Sequence, residues 1–159
     1  MRRIGGGGSA LLILVLVSTS AGAEPITFRI RGRVVDNLPE PYAVFNGGRF
    51  EIVYTFESTT PDANPGDPGS GLYSDPYVGG YMTVDQGPHH VRWEMDTATL
   101  ADITVQYTST AHAYFAGAYL VPNPSGLTPQ FFIVQLVDRD LEAFASDALP
   151  ITLVLSQFE

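Results

Sequence analysis

The chain predicts an all-β fold, an antiparallel two-sheet β-sandwich or jelly roll of about eight or nine strands, and three observations carry that expectation. Apolar residues recur with a period of two, as on strands with one buried and one wet face. Turn residues separate these runs, with 16 Gly and 12 Pro among 159 residues. No stretch beyond about ten residues keeps a 3.6-residue period free of Gly or Pro, so helices have little room.

The first strand is read where Ile26, Phe28 and Ile30 alternate with Thr27, Arg29 and Arg31. After the turn signal Asn46-Gly47-Gly48, Phe50, Ile52, Tyr54 and Phe56 alternate with mostly polar partners and form the clearest strand. Residues 81–84 form another. Val91, Trp93 and Met95 alternate with Arg92, Glu94 and Asp96, and Ile103, Val105 and Tyr107 with Asp102, Thr104 and Gln106. Residues 111–121 read as a further strand. Residues 131–137 are apolar except for Gln135, which predicts a central strand covered on both sides. Residues 151–158 close the set, with an edge open to pairing with another chain. One helical turn is expected over 140–145.

Residues 1–23 read as an export signal. Arg2 and Arg3 form a positive head, residues 10–17 are apolar throughout, and Ala21-Gly22-Ala23 fits the small-residue cleavage pattern. The expected mature domain is a single β-sandwich over 24–159. An apolar run of eight residues is far below the roughly 20 that a spanning helix needs, so no transmembrane anchor is expected after cleavage. The expected location is secreted, extracellular or periplasmic.

Composition narrows the partners. The chain has eight Arg, no Lys and 17 acidic residues, and loss of Arg2 and Arg3 with the leader moves its formal charge from −9 to −11. Nucleic acid is excluded as a partner on this ground, since phosphate backbones require clustered basic side chains. The absence of cysteine excludes disulfides, thiolate metal sites, cysteine nucleophiles and a lipoprotein's acylated cysteine.

Residues 58–71 are a polar insert with three prolines and three glycines, expected as a surface loop. Asp62, Asn64 and Asp67 place hard oxygen donors there at close spacing, which makes them candidate Ca²⁺ ligands. Gly66 stands where an EF-hand loop would carry its third ligand, and the competing reading is a turn in which Asp62 and Asn64 bond their own backbone.

Catalytic patterns are incomplete. Glu94 and Asp96 share a strand face about 6.5 to 7 Å apart at the backbone. They resemble the start of the Glu-x-Asp-x-x-Glu signature of laminarinase-like glycoside hydrolases, but Thr99 replaces the second glutamate. His89 and His90 point to opposite faces of a strand, unlike a His-x-His metal pair, and a site with His112 would need a turn at Pro88. The sequence therefore leans away from an enzyme. Exposed aromatics offer sugar-stacking surfaces instead, and Tyr73, Tyr77, Tyr81, Tyr114 and Phe132 are the candidates for such a platform.

The run Gly48-Arg49-Phe50-Glu51-Ile52-Val53-Tyr54-Thr55-Phe56, then Thr60-Pro61-Asp62-Ala63-Asn64-Pro65, Gly71-Leu72-Tyr73, a strand led by Gly79-Gly80, and the late Ser146-Asp147-Ala148-Leu149-Pro150 resembles secreted bacterial all-β domains of the PEP-CTERM-associated type. The resemblance implies export, an all-β fold and a role at the cell surface or in an exopolysaccharide matrix. The Pro-Glu-Pro tripeptide and apolar span of that group's sorting tail are not found up to Glu159. The expected function is structural or adhesive and non-enzymatic, with polysaccharide or surface and matrix components as partners. The alternative is a carbohydrate-binding module using Ca²⁺.

Overall fold

The computed structural model describes residues 25–34, 38–99, 101–122 and 131–158. The expected leader over 1–23 lies outside them. Eight strands form: β1 (Pro25–Arg33), β2 (Arg49–Glu57), β3 (Ser70–Ser74), β4 (Tyr77–Gln86), β5 (His89–Glu94), β6 (Asp102–Tyr107), β7 (His112–Tyr119) and β8 (Phe131–Asp138). They build two antiparallel four-stranded sheets, ordered β1-β2-β4-β5 and β3-β6-β7-β8, so the two-sheet sandwich is the fold. None of the described helices is long and apolar enough to cross a membrane.

The chain leaves the first sheet after β2 to lay β3 in the second, and returns for β4 and β5. An isolated bridge between Met95 and Leu120 ties the end of β5 to the end of β7. The inner faces interdigitate as their alternation demands. Phe28, Tyr54 and Phe56 from the first sheet meet Tyr114 and Phe132 from the second, with the Phe28 and Tyr54 rings edge to face at 5.7 Å. At Gly80 a Cβ atom would lie 2.4 Å from the Val53 carbonyl oxygen and 3.0 Å from the end of Met95. Only a residue without a side chain fits there.

Four expectations change. Residues 131–137 form the edge strand β8 rather than a central one. Its outward residues Phe131, Ile133 and Gln135 are exposed, while Phe132 and Val134 are buried. Residues 151–158 form no strand; they bend through a short 3₁₀ turn at Leu155–Gln157, and Leu153 packs into the core. Residues 140–145 are bends, because the Asp138 carboxylate takes the N–H groups of Asp140, Glu142 and Ala143 at 2.7 to 2.8 Å. The eighth strand is instead β3, whose start overlaps the end of the expected loop.

Candidate functional site

The loop after β2 turns two of the three predicted ligand side chains, Asp62 and Asp67, onto its own backbone. Asp62 Oδ1 accepts the N–H groups of Asn64 at 2.8 Å and Leu72 at 2.9 Å, and so pins the loop to β3. Asp67 Oδ1 accepts the Gly69 N–H at 3.0 Å, while the Asn64 carbonyl accepts the Asp67 N–H at 3.1 Å. These are the self-bonded turns that Asp and Asn form in loops. Among the described residues no group of three His, Cys, Asp or Glu side chains is gathered closely enough to hold a metal ion.

Glu94 and Asp96 do not act as a pair. Glu94 takes the guanidinium of Arg92 two residues earlier. Asp96 turns away to accept the Thr99 hydroxyl at 2.6 Å and the Ala98 N–H at 2.9 Å, and the Thr99 bond leads the causes that hold its carboxyl below the ordinary range. The histidines separate as well. His90 pairs with Asp85 on the first sheet, whereas His112 is buried at the start of β7, where its Nδ1 accepts the Phe144 N–H at 3.3 Å. Asp138 lies beside it, Oδ2 to Nδ1 at 3.7 Å. Burial works against the Asp138 charge, but the three N–H bonds that close the following loop outweigh it and lower its pKa.

The outer face of the first sheet carries a polar ladder across all four strands. Glu51 on β2 accepts from Arg29 and Arg31 on β1 and from the Tyr81 hydroxyl on β4 at 2.8 Å. Arg92 on β5 lies 3.7 Å over the Tyr81 ring. Burial alone would raise the Glu51 pKa, yet the bonds from Arg31, Tyr81 and Arg29 prevail and lower it. Tyr81, by burial and by its bond to Glu51, is raised. The aromatic ring expected as a stacking surface is thus already covered by a cation.

The outer face of the second sheet is different in kind. Tyr119 and Phe131 are directly opposite in the β7–β8 register, 45% and 54% exposed, with their rings edge to face at 6.4 Å. Next along, Gly117 faces Ile133, which is 60% exposed, so the missing side chain leaves a notch between Phe115 and Tyr119. A shallow groove of about 430 Å³ runs over it, with Asp102 of β6 on its wall. This aromatic face was not foreseen. Tyr73, Tyr114 and Phe132 from the expected platform are buried in the core, and Tyr77 packs edge to face on Tyr54. The phase of β7 is the reason: both faces of His112-Ala113-Tyr114-Phe115-Ala116 are apolar, and only contact with the opposite sheet turns Tyr114 inward and Phe115 outward.

The fold and its two faces define an antiparallel β-sandwich with one charged sheet face and one aromatic sheet face. Comparison with family models, with curated proteins and with solved structures finds no match.

Proposed function

We propose that this chain is an exported, non-enzymatic β-sandwich of the cell surface or extracellular matrix, working by adhesion to polysaccharide. The observation that carries the reading is the Tyr119–Phe131 face: two exposed rings, an adjacent notch at Gly117 and a carboxylate at Asp102. Rings stack on the C–H faces of sugars, and a nearby carboxylate accepts from hydroxyl groups. A formal charge of −9, which becomes −11 once Arg2 and Arg3 leave with the leader, favours neutral glycans over anionic ones. Export rests on the leader sequence. The carboxylates weighed for catalysis are engaged in structural bonds, as Glu94 is with Arg92 and Asp96 with Thr99.

Affinity electrophoresis through gels containing neutral or anionic polysaccharides tests the reading. Retardation in a neutral glycan, lost in Tyr119→Ala and in Phe131→Ala but kept in Tyr81→Phe, is the expected result. Unretarded migration in every glycan, or turnover of a glycan that disappears in Glu94→Gln, overturns it.

A further inference from the structure

Every open sheet has edge strands whose unpaired N–H and C=O groups can template another strand, and folded chains usually blunt them with charge, proline or short length. Three of the four edges here are blunted. β1 carries Arg29, Arg31 and Arg33 and begins at Pro25; β5 carries His89, His90, Arg92 and Glu94; β3 has five residues. β8 has none of these devices. Its first seven residues, Phe-Phe-Ile-Val-Gln-Leu-Val, contain no charge and no proline, and its register with β7 runs without a bulge.

Among the described residues, β8 makes main-chain hydrogen bonds only to β7. Among the described residues the space beside it is open as well. An apolar cleft of about 810 Å³ between the sheets is lined by Val34, Phe45, Ile52 and Trp93, and also by Phe131, Phe132 and Ile133 in succession. Successive strand residues point to opposite faces. A cleft touching all three therefore passes around the free edge of β8.

We propose that β8 is a self-association edge, on which β8 of a second copy pairs antiparallel to make one continuous eight-stranded sheet. Charge and sequence select a second copy as the occupant. Copies of formal charge −9, or −11 without the leader, repel one another, and β8 is the neutral edge at which they meet with least repulsion. In the register centred on Val134, Phe131 lies opposite the partner's Val137, Phe132 opposite the partner's Leu136 and Ile133 opposite the partner's Gln135, so three cross-strand classes out of four are wholly apolar. A two-fold axis through Val134 keeps each chain's outward residues on one side of the joined sheet and closes the assembly at two. The inference stands independently of glycan binding.

Sedimentation velocity from about 1 µM to about 1 mM tests it, the range suited to an interface of one strand pair. A monomer–dimer equilibrium is expected. Ile133→Lys should weaken it by roughly tenfold or more by placing a charge on the edge, whereas Val154→Lys, at a comparably exposed site outside the sheets, should leave it unchanged. Because the chain has no cysteine, a mixture of Ile133→Cys and Gln135→Cys proteins should form a disulfide-linked heterodimer under mild oxidation. Tyr119→Ala should lose glycan retention yet still dimerise. A monomer over the whole range, a dimer indifferent to Ile133→Lys, or absence of the mixed cross-link overturns the proposal.

Discussion

The hydroxyls of Tyr54 and Tyr114, one from each sheet, meet at 3.0 Å in the centre of the sandwich, and neither residue is accessible to solvent. Each ring contributes apolar area to the core, while the two polar tips satisfy each other across the inter-sheet plane. Burial raises the pKa of both phenols well above the ordinary tyrosine value, so both are neutral donors and acceptors across the physiological range.

Removing one member of this pair should cost more than removing both. Tyr54→Phe leaves the Tyr114 hydroxyl buried without its partner, which costs about 1 to 3 kcal/mol. Tyr54→Phe with Tyr114→Phe replaces two polar tips by apolar edges and should recover much of the loss. Urea unfolding of the two single variants and the double variant gives the coupling energy directly.

The same pair governs the alkaline limit. A phenol whose folded pKa is raised contributes stability that is fully present below its unfolded value near 10 and is lost as pH rises through the folded one. Stability should therefore fall steadily above about pH 10. Tyrosinate absorbance should rise in two stages, with Tyr54 and Tyr114 ionising in the second together with loss of the far-ultraviolet β signal. Ionisation of all eight tyrosines in one stage before unfolding would contradict this account.

At the acid end the sign reverses. The Glu51 pKa is depressed below its ordinary 4.5, so its contribution is present above that value and is lost as pH falls through the folded pKa. Glu51→Gln should cost about 1 kcal/mol at neutral pH, because it weakens bonds from Arg29, Arg31 and Tyr81 at a partly covered site. The difference in melting temperature between the two proteins should shrink below pH 4.5. A constant difference down to the lowest pH would remove the carboxylate's charge from the explanation.

Asp62 should behave as a loop staple. Asp62→Ala removes the acceptor for two N–H groups and should cost about 1 to 2 kcal/mol, with proteolytic nicking of the loop rising in step. Millimolar Ca²⁺ should not raise the melting temperature, since a ligand stabilises only by binding the folded form, and this oxygen is already engaged. A Ca²⁺-dependent rise abolished by Asp62→Ala would return Asp62, Asn64 and Asp67 to metal ligation.

Much of the fold was legible along the chain, and the parts that were not have a common cause. Alternation located β1, β2, β5 and β6 because their outward residues are mostly polar, and the contrast between faces is then written in the residue types. β7 and β8 are apolar on both faces, so the pattern alone did not say which residues pointed inward or whether the strand lay in the middle of a sheet. Residues 151–158 have strand-forming composition but pair with no strand among the described residues, and extended backbone without pairing gains nothing from a ladder. β3 is short and follows a loop rich in Pro and Gly, so its period was too brief to register.

The candidate site divides in the same way. Composition determined the acidic, cysteine-free character of the chain, and motif spacing was enough to weaken the hydrolase and histidine-metal readings. Asp62 was readable as a turn-former because its bond to Asn64 spans two residues, whereas its bond to Leu72, ten residues on, was not. The Tyr119–Phe131 face, the Glu51 ladder and the free edge of β8 were decided by tertiary structure, since each depends on which strands lie side by side across tens of residues. Period two is a local property of the backbone and states that a strand exists. Which face is buried, and which edge is left open, is settled by the other sheet.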